Sequence, residues 1–341
     1  MPDSDLMNRF PRVRLQGPTP IQRLERLEHF LSGQRRGVSI WAKRDDLMEL
    51  GGGGSKLRKL EFLIGQARSE GCDTIVATGG VQSNFARLAA AACARTGLAC
   101  ELVLTQMVPR TSEIYQTNGN VLLDRLFGAR VHILAPGDDA SQFAKGRATE
   151  IAASGGKAFV ATLGGSTPVG CLGYVDCAFE ISAQSREIGV EFDSIVIANG
   201  SGGMHAGLAA GMLVRGGDPS RITAHTVLSP VDQCLLATVD KVNTVLGLLS
   251  SEQRVATKDL TIRGEQLGGG YGIATDAMVE AIRIVGRSEG LLLDPVYGGK
   301  AFAGLLSDIE RGLIASGSNV LFVMTGGSPG LYAYADALNS N

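Results

Sequence analysis

The sequence lacks the features that mark several large classes of protein. It has no block of basic residues and no aromatic pattern suited to RNA, and its formal net charge is only −2, so nucleic acid is a poor candidate partner. No apolar run approaches the length of a membrane span, and residues 1–15 contain no apolar core of signal-peptide length. We therefore expect a cytoplasmic protein that has neither a membrane nor a nucleic acid as its partner.

Cysteine and histidine are scarce, with six and four residues in a chain of 341. No two cysteines have the CxxC spacing, and most lie in apolar or helical patterns, which is typical of buried free thiols in a reducing compartment. Since neither residue type shows the spacing of metal ligands, we expect no metal site. The pattern GxxxxGK[ST] is also absent, which argues against a Walker-type nucleotide site.

Glycine, by contrast, is abundant, with 46 residues, and Gly51–Gly54 stand in a row before Ser55 and Lys56. A backbone without side chains can approach a ligand closely, and Ser55 is expected to cap the helix that follows it. At about 100° per residue, Lys56 lies on the apolar stripe of this helix, Lys59 lies on its flank and Arg58 points away from it. A buried lysine has a lowered pKa and suits Schiff-base chemistry. The alternative is a lysine that bends back to solvent beside a flexible loop.

Apolar, β-rich runs alternate with helical patterns along most of the chain. One series extends from Thr74 to Thr162, and a second extends from Ser194 to Met324. This alternation with short connections is the signature of right-handed βαβ units and predicts an α/β protein with mostly parallel sheets. The length of the chain favours two domains.

Three glycine-rich turns, at 79–80, 199–203 and 325–327, each follow a predicted strand. In open α/β sheets, ligands bind beyond the carboxyl ends of the strands, where these turns would lie. The turn at 199–203 is the best candidate for binding phosphate, since successive backbone N–H groups and a helix N-terminus favour a dianion. Its alternative interpretation is a tight connection between a strand and a helix.

Polar residues follow or interrupt other predicted elements. Gln82, Ser83 and Asn84 open a helix, where they could bind a carboxylate or serve only as a cap. Tyr271 and Tyr297 stand in glycine-rich loops, where they could stack on a planar ring or relay protons, or simply pack. A buried lysine, an anion site and loop tyrosines together suggest pyridoxal phosphate as the cofactor, with its ring serving as an electron sink.

Four motifs carry a resemblance that covers nearly the whole chain. They are Lys56–Leu63, Gln82–Asn84, Asp294–Tyr297 and Thr325–Gly327. Through them the chain resembles the D-cysteine desulfhydrase and 1-aminocyclopropane-1-carboxylate (ACC) deaminase family, which belongs to the tryptophan-synthase-β-like class (fold type II) of pyridoxal-phosphate enzymes.

The resemblance implies a two-domain, three-layer α/β fold with parallel sheets. Residues 53–163 would form a smaller domain inserted into a larger one, made of residues 1–52 and 164–341. The cofactor would lie in the cleft between the two domains, and a homodimer is expected.

The resemblance also implies roles around the cofactor. Lys56 matches the lysine that forms the Schiff base and moves the α-proton. Tyr297 matches the tyrosine over the cofactor ring, and Thr325 matches the residue near the pyridine nitrogen in the desulfhydrases. Ser55 takes the place of an asparagine that bonds the cofactor's 3′-oxygen. The residues that match the phosphate-binding loop are Gly200, Ser201, Gly202, Gly203 and Met204.

On the substrate side, Ser83 and Asn84 match the segment that holds the carboxylate, with Gln82 before it and Phe85 after it. Ser83 is also a candidate proton relay, and Tyr271 matches the second active-site tyrosine. Phe85 stands where the family usually has histidine or glutamine, which removes a polar group near the substrate.

Two further departures concern the cofactor. Met204 replaces a threonine of the phosphate loop, so that a hydroxyl contact is lost. Gly298 replaces the glutamate of the deaminases or the threonine of the desulfhydrases. The loss of that glutamate counts against ACC ring opening, and Thr325 favours β-elimination.

The function expected from the resemblance is a lyase that converts D-cysteine to pyruvate, ammonia and sulfide. ACC deamination is an alternative, as is elimination from another β-substituted amino acid such as L-cysteate, D-serine or β-chloroalanine. A protein that binds pyridoxal phosphate or an amino acid without turnover is the alternative from a different class.

Overall fold

The computed structural model describes residues 6–31, 33 and 37–339, so that residues 1–5 and 340–341 of the predicted larger domain lie outside the described residues. It contains a six-stranded and a four-stranded sheet. The strands are β1 (Ile21–Arg23), β2 (Ser39–Arg44), β3 (Thr74–Gly80), β4 (Ala99–Thr105), β5 (Arg130–Ile133), β6 (Ala158–Ala161), β7 (Ser194–Asn199), β8 (Ile222–Thr226), β9 (Thr261–Arg263) and β10 (Asn319–Met324).

The helices pack on these sheets. They are α1 (Glu25–Phe30), α2 (Lys56–Ser69), α3 (Asn84–Thr96), α4 (Glu113–Thr117), α5 (Asn120–Leu126), α6 (Ala140–Ala153), α7 (Pro168–Ile188), α8 (Gly203–Leu213), α9 (Val231–Leu248), α10 (Asp276–Glu289), α11 (Gly298–Glu310), α12 (Pro329–Ala333) and α13 (Ala335–Asn339). Among the described residues, no helix is both long enough and apolar enough to cross a membrane.

The four-stranded sheet has the order β5-β4-β3-β6 and is parallel throughout. All residues of β3 are buried, which explains why this strand is an almost continuous run of small and apolar residues. The strands of this sheet fall within the predicted smaller domain of residues 53–163, although the division into two domains stays a prediction.

The six-stranded sheet has the order β1-β2-β10-β7-β8-β9. Its strands are parallel except for β1, which pairs with β2 in the antiparallel sense. The expectation of mostly parallel sheets is therefore confirmed, with an antiparallel strand at one edge.

The topology brings the glycine-rich turns together. Residues 79–80 end β3, residues 200–203 follow β7 and residues 325–327 follow β10. A bridge between Gly54 and Gly326 joins the glycine row to the turn after β10. The carboxyl ends of both sheets therefore face a common region, which is where an α/β protein binds its ligand.

Helices α2 and α7 approach so closely that a glycine is required where they meet. A Cβ atom on Gly173 would lie 2.2 Å from the carbonyl oxygen of Arg58. We expect Gly173→Ala to lower the free energy of unfolding by about 1–3 kcal/mol, because the two backbones must move apart. The control Gly146→Ala adds a methyl group in helix α6 where no atom lies within 4 Å. It should raise stability by about 0.5–1 kcal/mol in urea denaturation. Equal effects of the two changes would contradict this account of the contact.

Candidate active site

A cavity lies at the carboxyl ends of the strands, and its wall comes from loops of both sheets. Every residue that we predicted for the site lines this cavity except Gln82. The predicted residues in its wall are Ser55, Lys56, Ser83, Asn84, Phe85, Gly200, Ser201, Gly202, Gly203, Met204, Tyr271, Tyr297 and Thr325.

Lys56 begins helix α2, and its amine lies 5.4 Å from the centre of the Tyr297 ring. Burial lowers the pKa of Lys56, and the carboxylates of Asp294 and Asp45 only partly oppose this effect. The lysine is therefore closer to its neutral, nucleophilic form than a lysine in water, which suits attack on an aldehyde.

Ser55 does not cap helix α2, contrary to our prediction. Its backbone is already in the helical region and its side chain makes no capping bond. The hydroxyl is buried without a partner among the described residues, whereas the backbone N–H donates to the carbonyl of Thr325 at 3.0 Å. A buried hydroxyl beside Lys56 that lacks a partner in the protein is suited to bond a ligand.

A buried ion network fixes the start of helix α2. Arg58 is only 3% exposed; its Nε and Nη2 donate to the two carboxylate oxygens of Asp45 at 2.9 and 2.7 Å, and its Nη1 donates to Glu180 at 2.9 Å. Lys43 also pairs with Glu180. Arg58 points away from the apolar stripe as predicted, and it faces the carboxylates of Asp45 and Glu180 instead of solvent. The network holds Lys56, two residues earlier, in place.

The glycine row serves the packing of the chain more than contact with a ligand. Gly54 is the member that lines the cavity. A Cβ on Gly51 would lie 2.5 Å from the Cβ of Ala91, and one on Gly53 would lie 2.6 Å from the carbonyl oxygen of Asp46. Arg87 donates to the carbonyls of Gly51 and Gly53. Of the four glycines, Gly54 is therefore the one placed to approach a ligand.

The loop after β7 forms a site with several donors. Gly202 has a φ of 81° and no side chain caps helix α8 behind it, which leaves the first N–H groups of the helix unpaired within it. The Lys59 ammonium donates to the carbonyl of Gly164 at 3.1 Å and to the Ser166 hydroxyl at 2.7 Å. That hydroxyl lies 2.6 Å from the hydroxyl of Ser201.

The prediction of site residues missed Lys59, although its spacing of one helical turn after Lys56 could have indicated it. A Cβ on Gly203 would lie 2.7 Å from the Lys59 amine, so that only glycine leaves this amine beside the start of helix α8. Burial, and then the charge of Lys56, lower the pKa of Lys59 to about 7. The Lys59 amine, the serine hydroxyls and the helix N–H groups surround a space that a Cβ on residue 203 would fill. This set of donors fits a phosphate dianion.

The two tyrosines meet at the cavity. Their hydroxyl oxygens are 2.8 Å apart and their rings are in edge-to-face contact. Burial raises the pKa of Tyr297 to about 12 and raises the pKa of Tyr271 well above its ordinary value. Both are therefore neutral phenols near pH 7, which can donate a proton or a hydrogen bond.

Two buried residues position the tyrosines. The carboxylate of Asp294 accepts hydrogen bonds from the N–H groups of Val296, Tyr297 and Gly298. The Lys300 ammonium, at the third residue of helix α11, donates to the carbonyls of Leu267 and Gly270, just before Tyr271. Neither residue was among the predicted site residues, since their role becomes visible only when the two loops are seen together.

The side chains of Gln82, Ser83 and Asn84, at the start of helix α3, have different hydrogen-bond partners. Ser83 caps the helix by accepting a hydrogen bond from Ala86 N at 3.1 Å, and Asn84 accepts one from Asn120 at 3.0 Å. The Gln82 amide donates to the carbonyls of residues 115 and 118 and accepts from the N–H of residue 120. Gln82 was predicted to bind substrate; instead its side chain is held by other loops, outside the cavity wall, because their backbone groups satisfy both ends of the amide.

Comparisons with known proteins agree with this geometry. The family model described as "Pyridoxal-phosphate dependent enzyme" matches residues 13–326. A D-cysteine desulfhydrase of Salmonella schwarzengrund (strain CVM19633) is 39% identical over 331 residues, covering 96% of this chain and 97% of the relative. A D-cysteine desulfhydrase of Salmonella choleraesuis (strain SC-B67) is 40% identical over 329 residues with the same coverage.

A solved structure described as an ACC deaminase homologue matches with a TM-score of 0.86 and 36% identity, covering 99% of this chain and 98% of the other. An O-ureido-L-serine synthase matches with a TM-score of 0.65 and 17% identity, covering 98% and 96% of the two chains. At that identity the second match shows the fold alone.

Proposed function

This chain belongs to the family of pyridoxal-phosphate-dependent enzymes, and we propose that it is a lyase that removes the β-substituent of D-cysteine. The products are pyruvate, ammonia and sulfide. One observation carries the proposal: a lysine with a lowered pKa, a phosphate-type donor set and a pair of neutral tyrosines line the same cavity. The names and identities of the relatives support the choice of reaction.

The residues present fit the cofactor. In our proposal the Lys56 amine bonds its aldehyde, while Lys59, Ser201 and the N–H groups at the start of helix α8 bind its phosphate. Ser55 and Thr325 line the cavity, and the Ser55 hydroxyl has no partner among the described residues; we assign both to the polar atoms of the ring. When bound, the cofactor withdraws electrons from the substrate and so stabilises negative charge at Cα.

The side chains of the chain supply binding and proton transfer. Ser83 and Asn84, at the start of helix α3, hold the substrate carboxylate, which the N-terminus of that helix favours. The neutral Lys56 amine accepts the α-proton. The Tyr271–Tyr297 pair holds a phenol proton close to the cavity and can deliver it to the leaving sulfur.

A substrate panel tests this function. The cofactor-loaded protein is given D- and L-cysteine, D-serine, L-cysteate and ACC, and 2-oxo acid, ammonia and sulfide are measured. We expect pyruvate and sulfide from D-cysteine. A protein that converts none of these amino acids would contradict the lyase and favour a binding protein without turnover.

ACC deamination is the second candidate because of the likeness to the ACC deaminase homologue. The described residues that line the cavity include no aspartate or glutamate, and an acid that protonates the cofactor ring is therefore lacking there. The formation of 2-oxobutyrate from ACC, without sulfide from D-cysteine, would favour this candidate over ours.

We expect Lys59→Met to weaken pyridoxal phosphate binding by about 10- to 100-fold, which is the usual value of a hydrogen bond to a charged group. Pyridoxal, which lacks the phosphate, should bind as before. Because the pKa of Lys59 is about 7, its charge is present below that pH and lost above it. The preference of the wild-type apoprotein for the phosphorylated ligand should then fall as the pH rises above 7, with no such fall in the variant.

Absorbance titrations with the two ligands measure this preference. Lys145→Met is the control, because Lys145 is exposed on helix α6 and does not line the cavity. An equal loss of affinity for pyridoxal and for its phosphate would show that Lys59 acts elsewhere.

We expect Tyr297→Phe to lower kcat by roughly 10²-fold, a common value for one proton-transfer group. The ring contact with Lys56 remains, so that the visible absorbance of the bound cofactor should change little. Tyr332→Phe, at a tyrosine that is 61% exposed, is the control. A kcat within twofold of the wild type would remove Tyr297 from proton transfer.

We also propose a homodimer in the cytoplasm. All six cysteines are free and buried, which suits a reducing compartment. Leu122 and Leu126, one turn apart on helix α5, are 52% and 72% exposed, and such an apolar face is often covered by a partner. Light scattering on the purified protein tests the dimer, and the mass of a single chain would contradict it.

A further inference from the structure

Two apolar side chains stand at the opening of the cavity. Met107 follows β4 and Leu163 follows β6, and these strands flank β3 in the four-stranded sheet. Both side chains line the cavity although they are 36% and 40% exposed, which places them at its mouth. Because β3 leads into Ser83 and Asn84, the two apolar side chains stand on either side of the segment proposed to hold the substrate carboxylate.

The charged side chains of the cavity wall are all cations. The described residues that line it include no carboxylate. Of its three cations, Lys56 is committed to the cofactor aldehyde in our proposal. Lys59 donates to a carbonyl and a hydroxyl, and Arg87 donates to two backbone carbonyls while its Nε has no partner among the described residues. A sulfonate or carboxylate held at the mouth between Met107 and Leu163 would lose water to apolar side chains, which is costly.

We propose that the preferred substrates are cysteines that carry a neutral alkyl group on sulfur, and that Met107 and Leu163 bind this group. The inference rests on the proposed lyase function and narrows its substrate class. Each methylene buried between two apolar side chains adds hydrophobic stabilisation, and methionine is flexible enough to adapt to alkyl groups of different length. The position at the mouth also gives the leaving group a direct exit.

The reaction balances without an oxidant or a reductant. The Cα–H bond breaks, and its electron pair forms a double bond between Cα and Cβ. The Cβ–S bond breaks, and its electron pair leaves with sulfur, which takes up a proton and departs as a thiol. One water then hydrolyses the remaining fragment, so that an S-alkyl cysteine and water give a thiol, pyruvate and ammonium.

A chain-length series tests the inference. S-methyl, S-ethyl and S-propyl cysteine, each in the D and L form, are given to the cofactor-loaded protein, with D-cysteine and L-cysteate beside them, and kcat/KM is measured from pyruvate. We expect kcat/KM to rise about fourfold for each added methylene in the preferred enantiomer. The double variant Met107→Ala, Leu163→Ala should flatten the series while D-cysteine is still converted.

Ile133→Ala is the matched control. Ile133 ends β5 at the same edge of the sheet and is 43% exposed, but it does not line the cavity, so that the slope of the series should remain. Any one of three results would overturn the inference. These are a flat or falling series in the wild type, an unchanged slope in the double variant, and a kcat/KM for L-cysteate equal to that for the S-propyl compound. If D-cysteine is converted in those cases, the lyase function still stands. If no amino acid yields a 2-oxo acid, the lyase function fails together with the inference.

Discussion

Lys56→Ala will lower kcat by at least about 10³-fold, because in the proposed mechanism this one amine both holds the cofactor and moves the α-proton. Two lysines lie within one turn of each other in helix α2, and the structure gives them different surroundings. Lys56 lies against the Tyr297 ring and is not part of the phosphate-type donor set, whereas Lys59 lies against the start of helix α8. The variant should therefore lose the visible absorbance band of a lysine-bound cofactor and still bind pyridoxal phosphate weakly through Lys59.

Reduction with borohydride followed by peptide mapping checks this assignment directly. In the wild type the cofactor should be fixed to Lys56, and in the variant no lysine should carry it. Lys258→Ala, which changes an exposed lysine, should leave both the band and kcat unchanged. Recovery of the cofactor on Lys59 in the wild-type protein would reverse the roles of the two lysines.

The positions of the strands longer than three residues, and of the turns behind them, could be predicted from the sequence alone. Apolar β-rich runs and helical periods have distinct patterns, and a parallel sheet places all its carboxyl ends at one edge. The turns at 199–203 and 325–327 follow two strands of one sheet and therefore had to lie at one edge. The turn at 79–80 belongs to the other sheet, so its place beside them did not follow from this argument. The same reasoning identifies Ser83 and the loop at 200–204 as candidate site residues. Tyr297 is a candidate because it stands in a glycine-rich loop, and all of these residues line the cavity.

The environment of helix α2 could not be predicted in the same way. A helical period separates an apolar face from a polar one, and the polar face is then assumed to meet water. Here Arg58, Lys59 and Glu61 are buried as well, because the helix lies between other elements on all sides. Which polar residue faces a carboxylate and which faces an anion site depends on distant segments, such as Glu180 and the loop at 164–166.

The glycine row shows a second limit of prediction from the sequence. Its composition indicates backbone freedom, and Gly51, Gly52, Gly53 and Gly54 all have positive φ. The sequence does not reveal whether that freedom serves a ligand or the packing of the chain. In the structure, most of this backbone freedom serves close contacts with helix α3 and with the turn at residues 46–48. The N-cap expected at Ser55 is not formed, because the backbone of this residue is already helical.

Arg58→Met will lower the free energy of unfolding by about 3–5 kcal/mol, the usual effect of removing one partner from a buried ion pair. Asp45 is fully buried and Glu180 is 13% exposed in its side chain. Without Arg58, Asp45 loses its bidentate donor and Glu180 loses one of its two cationic partners. Lys43 then remains as a partner of Glu180 but not of Asp45. Urea denaturation at neutral pH measures the loss. Arg221→Met is the control, because its pair with Glu191 is 42% and 77% exposed and should contribute less than about 1 kcal/mol.

The pH dependence separates the charge of Arg58 from its packing. Burial alone would raise the pKa of Glu180, but Arg58 and Lys43 hold it below the ordinary value of 4.5. A carboxylate with a lowered pKa stabilises the fold fully above its unfolded pKa, and this contribution is lost as the pH falls through the folded pKa. The gap in stability between the wild type and Arg58→Met should therefore narrow as the pH falls below 4.5. A gap that stays constant from neutral to acidic pH would mean that the arginine acts through the packing of its side chain, and the network would then position Lys56 by shape instead of by charge.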